Sequence, residues 1–292
     1  MKILLLAPAR WLDDDSLNIF RTWLMAEGHG LEVAPQTQMR HNQLAGDDAA
    51  RAAALNSALA RTDIDVIWCA RGGYGSARLL SLLHPRMAVS KQILVGYSDM
   101  TSLLLSDLGV SLIPIHGAMP GDLKSPQKLD NLQLALDLCR SVLARRESET
   151  RIDLTPLRPG SAHGRLVAAN LNVLGHMLGT PQQPDLTGAI LCLEDVGEYY
   201  YAIDRMFVHF KQAGVFGQIT GLVLGSFSDL EDNEDPWGET VEQIALGHFS
   251  DGPVACGPFF GHAARNVPLL IGASARLTCT TGAAELRFDH RV

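Results

Sequence analysis

Lys91-Gln-Ile-Leu-Val-Gly-Tyr-Ser-Asp-Met-Thr-Ser-Leu-Leu-Leu105 joins a short apolar run, a glycine, an isolated serine and a helical pattern. Such a stretch reads as a strand feeding a helix through a sharp turn, with Ser98 held at the C-terminal end of the strand beside backbone N–H groups. A nucleophile belongs in that position. The G-x-S-x-G elbow is matched only in part, since Met100 stands where the last glycine would be, and a helix N-cap serine is the structural alternative.

The pattern repeats on both sides. Strand candidates at Ile3–Ala7, Leu31–Ala34, Asp65–Ala70, Ile93–Tyr97 and Ser111–Ile115 alternate with helical patterns at Leu17–Glu27, Asp48–Ala60, Ser76–Leu83 and Asp99–Leu108, the last closed by Gly109. Alternation of this kind predicts an α/β fold with a parallel sheet of the Rossmann or flavodoxin type, ligands gathering at the C-terminal strand ends. A helix over about Pro126–Arg146 ends this N-terminal domain, residues 1–146. The polar, proline-containing stretch 147–163 reads as a linker. From 164 to 292 shorter strands at Gly164–Val167, Ile190–Leu193, Gly221–Leu224, Pro253–Cys256 and Arg276–Cys279 alternate with helices at Asn170–Leu178, Ala202–Ala213 and Thr240–Phe249. They predict a C-terminal mixed α/β domain.

Composition narrows the function. The 292 residues are 47% hydrophobic and 19% charged, with a formal charge of −8, so a globular chain is expected and neither nucleic acid nor an anionic membrane suits it as a partner. No apolar run is long enough for a membrane span or a signal-peptide core, which makes a soluble cytoplasmic protein the expectation. The five cysteines, Cys69, Cys139, Cys192, Cys256 and Cys279, are scattered without a C-x-x-C pair and read as free thiols, not zinc ligands or disulfides.

A serine nucleophile needs a base, an orienter for the base and donors for the oxyanion. Among ten histidines, His262 lies in the glycine- and proline-framed loop Gly257–Gly272, where a side chain is free to face a cleft. His116, ending a strand in Ile115-His-Gly-Ala, is its rival. Ile190-Leu-Cys-Leu-Glu-Asp offers Glu194 and Asp195 at a strand end; alternation sends them to opposite faces, so one of the two is expected at the site. Arg71-Gly-Gly-Tyr-Gly75 follows a strand and suits close backbone approach to an anion, although its spacing matches neither a dinucleotide nor a phosphate loop.

Together these segments resemble the LD-carboxypeptidase family of serine peptidases, which includes the muramoyltetrapeptide carboxypeptidases and the microcin C7 self-immunity proteins. The resemblance rests on Ala70–Gly75, Gly96–Asp99, His116-Gly117, Asn170-Leu171 with Gly179-Thr180, Leu193–Asp195 with Ile203–Met206, and Gly261-His262 with Asn266 and Gly272, in family order along most of the chain. It implies a Ser-Glu-His triad of Ser98, Glu194 and His262, with the active site between the two domains. It also implies an oxyanion hole from the backbone N–H of Asp99 and one from the Gly72-Gly73 turn. No metal or organic cofactor is implied. The implied substrate is a murein tetrapeptide, cut between the L-centre of its diamino acid and terminal D-alanine in cytoplasmic peptidoglycan recycling, with Arg71 and nearby glycine N–H groups as carboxylate readers. Family members commonly form homodimers. An immunity-type peptidase opening acyl nucleotides, with Trp237 as a base-stacking platform, is the alternative within the family. A non-catalytic small-ligand-binding protein is the alternative outside it.

Overall fold

The computed structural model describes residues 1–84, 92–107, 112–123 and 128–291. The chain forms two units, Met1–Ala144 and Arg145–Val292.

In the first unit β1 (Lys2–Leu6), β2 (Gly30–Val33), β3 (Val66–Cys69), β4 (Ile93–Gly96) and β5 (Ile113–His116) lie in the order β5-β4-β3-β1-β2, every neighbouring pair parallel. This is the flavodoxin-like strand order, in which winding reverses between β1 and β3 and opens a crevice at their C-terminal ends. The Arg71–Gly75 turn follows β3 at that reversal. Val66, Ile67, Trp68 and Cys69 are all fully buried, as a strand covered on both faces requires. Trp68 meets Phe20 of the helix Asp14–Ala26 edge-on at 5.3 Å and donates its indole N–H to the Ala118 carbonyl at 2.9 Å. That helix starts at Asp13, whose carboxylate accepts the Ser16 N–H at 2.8 Å, and the helix Asp48–Leu59 starts the same way at Asp47 with Ala50. After β4 the expected long helix is a 3-10 turn, Ser98–Met100, running into the short helix Thr101–Leu104. Gly109, Ser111 and Pro126 lie outside the described residues. The unit ends with the helix Lys128–Leu143.

The second unit contains β6 (Glu149–Arg158), β7 (Gly160–Asn170), β8 (Ala189–Val196), β9 (Gly221–Ser228), β10 (Val254–Cys256), β11 (Leu269–Leu270), β12 (Ser274–Cys279) and β13 (Ala284–Asp289). Seven of these close a barrel in the order β10-β6-β13-β12-β7-β8-β9, while β11 lies beside β7. The run from β7 through β8 and β9 to β10 is parallel and the other pairings are antiparallel. Helices Leu171–Met177, Tyr200–Gln212 and Val241–His248 fall close to their expected positions.

The linker expected at 147–163 is not one. Residues 149–158 and 160–170 are the first two strands of the barrel. Ile152, Leu154 and Pro156 alternate with exposed Arg151, Asp153 and Thr155, the period-two pattern of a strand with one wet face. Pro156 hid that pattern; it sits beside a register shift where β6 pairs with β10, one of the few strand positions at which a missing N–H costs little.

Candidate active site

Ser98 stands on a strained elbow. Its φ is +62°, in the left-handed region that costs a non-glycine residue roughly 1–2 kcal/mol. Tyr97 before it is extended and the 3-10 turn after it is helical, so the side chain is thrown out at the strand end, half-buried. Met100 does not disturb this geometry. It packs on Gly96, where a Cβ would fall 2.7 Å from its Cγ, so the glycine of the elbow makes room for the methionine.

The glycine turn closes on the serine. A Cβ on Gly72 would lie 3.1 Å from Ser98 Cβ and 3.3 Å from its Oγ, so the Gly72 backbone borders the hydroxyl directly. Gly73, at φ +104°, is covered by the stem of Arg10, and Gly75, at φ +127°, backs onto Arg51. Arg71 is half-buried with its stem against Gly121. The backbone N–H of Asp99 falls in the first turn after the elbow, where donors have no helical acceptor. The Asp99 side chain is buried, and burial holds its carboxyl above the usual range. Arg10 and Arg51 carry no motif, and sequence reasoning missed both.

In the second unit Glu194 and His262 meet. Glu194, at the end of β8, is fully buried, and its Oε2 lies 2.7 Å from His262 Nδ1 and 3.2 Å from the His262 backbone nitrogen. Two bonds to one carboxylate oxygen fix the ring, and an Nδ1–H donor makes Nε2 the basic nitrogen. Gly261, at φ +90°, permits the approach, since a Cβ there would fall 2.5 Å from Glu194 Cγ. Asn266 Oδ1 accepts the Gly261 N–H at 3.1 Å and pins the loop; Asn170 Nδ2 donates to Glu194 Oε1 at 3.3 Å. His116, the rival base, is fully buried at the end of β5 with its ring edge-on to Tyr97 at 5.7 Å.

Asp195 has the structural role. It accepts hydrogen bonds from Asn170 Nδ2 at 2.8 Å, the Asn172 N–H at 2.9 Å and the Val196 N–H at 2.8 Å, which ties it to the start of the helix Leu171–Met177. Burial pushes its carboxyl up to about 6, with Glu194 adding to the rise and the three hydrogen bonds opposing it. Because folded Asp195 keeps its proton to a higher pH than the unfolded chain, this group's contribution to stability falls as pH rises from about 4 to about 6. Relative to Asp195→Asn, the native protein is expected to be more stable by about 2 kcal/mol at about pH 4.5 than at about pH 7, read by urea unfolding of both proteins. A pH-independent difference would show that the carboxyl titrates as in the unfolded chain.

Among the described residues no group of three His, Cys, Asp or Glu side chains is placed to hold a metal ion, and no helix is long and apolar enough to cross a membrane. Residues 3–117 match the LD-carboxypeptidase N-terminal domain and residues 163–277 the LD-carboxypeptidase C-terminal domain. The chain belongs to the LD-carboxypeptidase family. As a member it is a serine-type carboxypeptidase, which displaces the reading as a non-catalytic binding protein. A Synechocystis protein named as a carboxypeptidase is 35% identical over 274 residues, 91% of this chain and 86% of its own length. The murein tetrapeptide carboxypeptidase of Pseudomonas aeruginosa is 30% identical over 243 residues, 80% of this chain and 78% of that protein. The microcin C7 self-immunity protein MccF of Escherichia coli is 26% identical over 214 residues, 60% of each chain. The crystal structure of muramoyltetrapeptide carboxypeptidase from Oxalobacter formigenes superposes with a TM-score of 0.85 at 27% identity, covering 99% of this chain and 98% of that one.

Proposed function

We propose that this carboxypeptidase hydrolyses the bond between the L-centre of the diamino acid and terminal D-alanine of a murein tetrapeptide, in the cytoplasm, as a step of peptidoglycan recycling. Ser98 is the nucleophile, His262 the general base and Glu194 its orienter. The observation that carries the reading is the bond from buried Glu194 to His262 Nδ1, which prepares an imidazole for proton transfer through Nε2.

In this mechanism His262 Nε2 takes the Ser98 proton as Oγ attacks the scissile carbonyl carbon. The tetrahedral oxyanion is received by the Asp99 N–H and an N–H of the Gly72-Gly73 turn. His262 then protonates the leaving nitrogen of D-alanine. Water, deprotonated by the same imidazole, then attacks the acyl carbon, and the imidazolium returns that proton to Ser98 Oγ as the C–Oγ bond breaks and the tripeptide leaves. Arg71 reads the free carboxylate of the departing residue. The mechanism requires Ser98 Oγ and His262 Nε2 to come within hydrogen-bond reach in the working enzyme.

A second reading, an immunity-type peptidase acting on acyl nucleotides, draws on Trp237. About a third of its surface is open to solvent, at 37%, and its backbone N–H is held by Asp232 at 3.0 Å. Incubation of the purified protein with L-Ala-D-Glu-meso-diaminopimelyl-D-Ala is expected to release D-alanine and the tripeptide. No release, together with turnover of an aminoacyl sulfamoyl nucleotide, would replace the first reading by the second.

A further inference from the structure

The peptide unit joining Gly75 to Ser76 is gripped at both ends by buried side chains of opposite charge. Its carbonyl accepts a hydrogen bond from Arg51 Nη1 at 2.8 Å, and its N–H donates to Asp99 Oδ2 at 2.9 Å. Arg51 is fully buried and Asp99 is 5% exposed. The guanidinium also binds the Pro8 carbonyl and Asp48, so the cation is anchored to the loop after β1 and to its own helix. Ser76, itself fully buried, donates from its hydroxyl to the Asp99 backbone carbonyl at 2.6 Å, with Ser102 Oγ also 2.6 Å away. Gly75 has no space for a side chain: a Cβ would lie 2.8 Å from Leu44 Cδ2 and 3.0 Å from Arg51 Nη1.

We infer that the side chains of Asp99, Ser76 and Arg51 form a positioning clamp. The clamp locks the glycine turn Gly72–Gly75 to the Ser98 elbow and thereby fixes the spacing of the two backbone donors that receive the oxyanion. The inference rests on the proposed roles of Ser98 and of those two donors.

The donors come from different segments. One is the N–H of Asp99 and the other belongs to a turn more than twenty residues earlier; the parallel pairing of β3 with β4 brings the two strands side by side but ends at Trp68 and Val95, short of both donors. The clamp ties the segments beyond that point. Asp99 carries one donor on its backbone while its carboxylate holds the peptide three residues beyond Gly73, and the Ser76 hydroxyl returns to the same residue's carbonyl. Burying a carboxyl group and a guanidinium is costly, and apolar side chains of similar volume often stabilise such a corner at least as well. What the charges supply is orientation. A transition-state site tolerates little displacement, and an error of about 1 Å costs on the order of 100-fold in rate. Ground-state binding, which does not use the full strength of the oxyanion donors, is less sensitive.

The test compares Asp99→Ala, Asp99→Asn and Ser76→Ala with the native enzyme on the substrate it turns over, tetrapeptide or acyl nucleotide. Asp99→Ala is expected to lower kcat by about 100-fold and Ser76→Ala by about tenfold, with KM within about threefold. Inhibition by a boronic-acid analogue of the acyl group, which forms a tetrahedral adduct, should weaken in parallel with kcat, while the affinity of the released acid product stays unchanged. Asp99→Asn keeps an acceptor for the Ser76 N–H and should recover at least about tenfold of the loss. Rates within about threefold of native in both Asp99→Ala and Ser76→Ala, beside an inactive Ser98→Ala, overturn the clamp alone. A joint fall of kcat, product affinity and thermal midpoint, without recovery in Asp99→Asn, assigns these residues to folding and also overturns it. An active Ser98→Ala sinks the nucleophile reading instead.

Discussion

Ser98→Ala is expected to lower kcat/KM for D-alanine release by at least about three orders of magnitude while leaving the protein folded. The size follows from the chemistry: without Oγ there is no acyl-enzyme, and what remains is rate enhancement from binding and from backbone donors around the carbonyl. Stability should change little. The substitution removes one half-buried oxygen and keeps the Cβ, so the left-handed strain of the elbow, φ +62°, is the same before and after. Tetrapeptide hydrolysis followed by D-alanine detection gives the first number and a thermal melt the second. Turnover near the native rate would reject the serine mechanism; a collapsed melt would show that the hydroxyl has a structural task that the fold does not suggest.

Glu194→Gln is expected to lower kcat by about 10²- to 10⁴-fold, with a much smaller change in KM. Glutamine fits the space, so the cost is electrical and directional. In the native chain one carboxylate oxygen accepts from both His262 Nδ1 and the His262 N–H, and the other faces the Asn170 amide N–H. A carboxamide has one acceptor oxygen. Turned toward His262, it points its own N–H group at the Asn170 donor; turned the other way, it presents a donor to the imidazole and favours the wrong tautomer. In either orientation the negative charge that stabilises the imidazolium during proton transfer is gone. Asp195 offers no rescue, because its oxygens are committed to Asn170, Asn172 and Val196. An unchanged kcat in this variant would remove Glu194 from the mechanism.

The βα junction at Ser98 was legible in the sequence because everything that defines it is local: an apolar run, Gly96, a serine and a helix start within ten residues. The same holds for the parallel sheet, whose strands are short apolar runs buried on both faces. The choice between Glu194 and Asp195 was not legible. Alternation says only that they part, whereas their roles are set by Gly261 and His262 on one side and by the helix start at Asn172 on the other, residues distant in sequence from one of the two elements involved. Strands β6 and β13 were missed because each shows the core only every second residue, and β6 carries a proline besides. Arg51 left no signal at all. In Asp48-Ala-Ala-Arg51 it reads as a surface charge on an amphipathic helix, and only the loop after β1 and the glycine turn, both packed against it, make it a buried cation.

The barrel closes late along the chain: β6, at residues 149–158, finishes its pairing only with β10 and β13, the latter ending at residue 289. Loop-closure entropy for contacts so far apart must be met before they give any return, so rings of this kind assemble slowly compared with helices. Glu194 on β8 and His262 in the loop after β10 are 68 residues apart and meet across the parallel run β8-β9-β10, which is long-range pairing of the same kind. A chain that holds its helices but has not yet paired these strands therefore leaves the imidazole without its carboxylate, and the contact is acquired with the sheet, not before it.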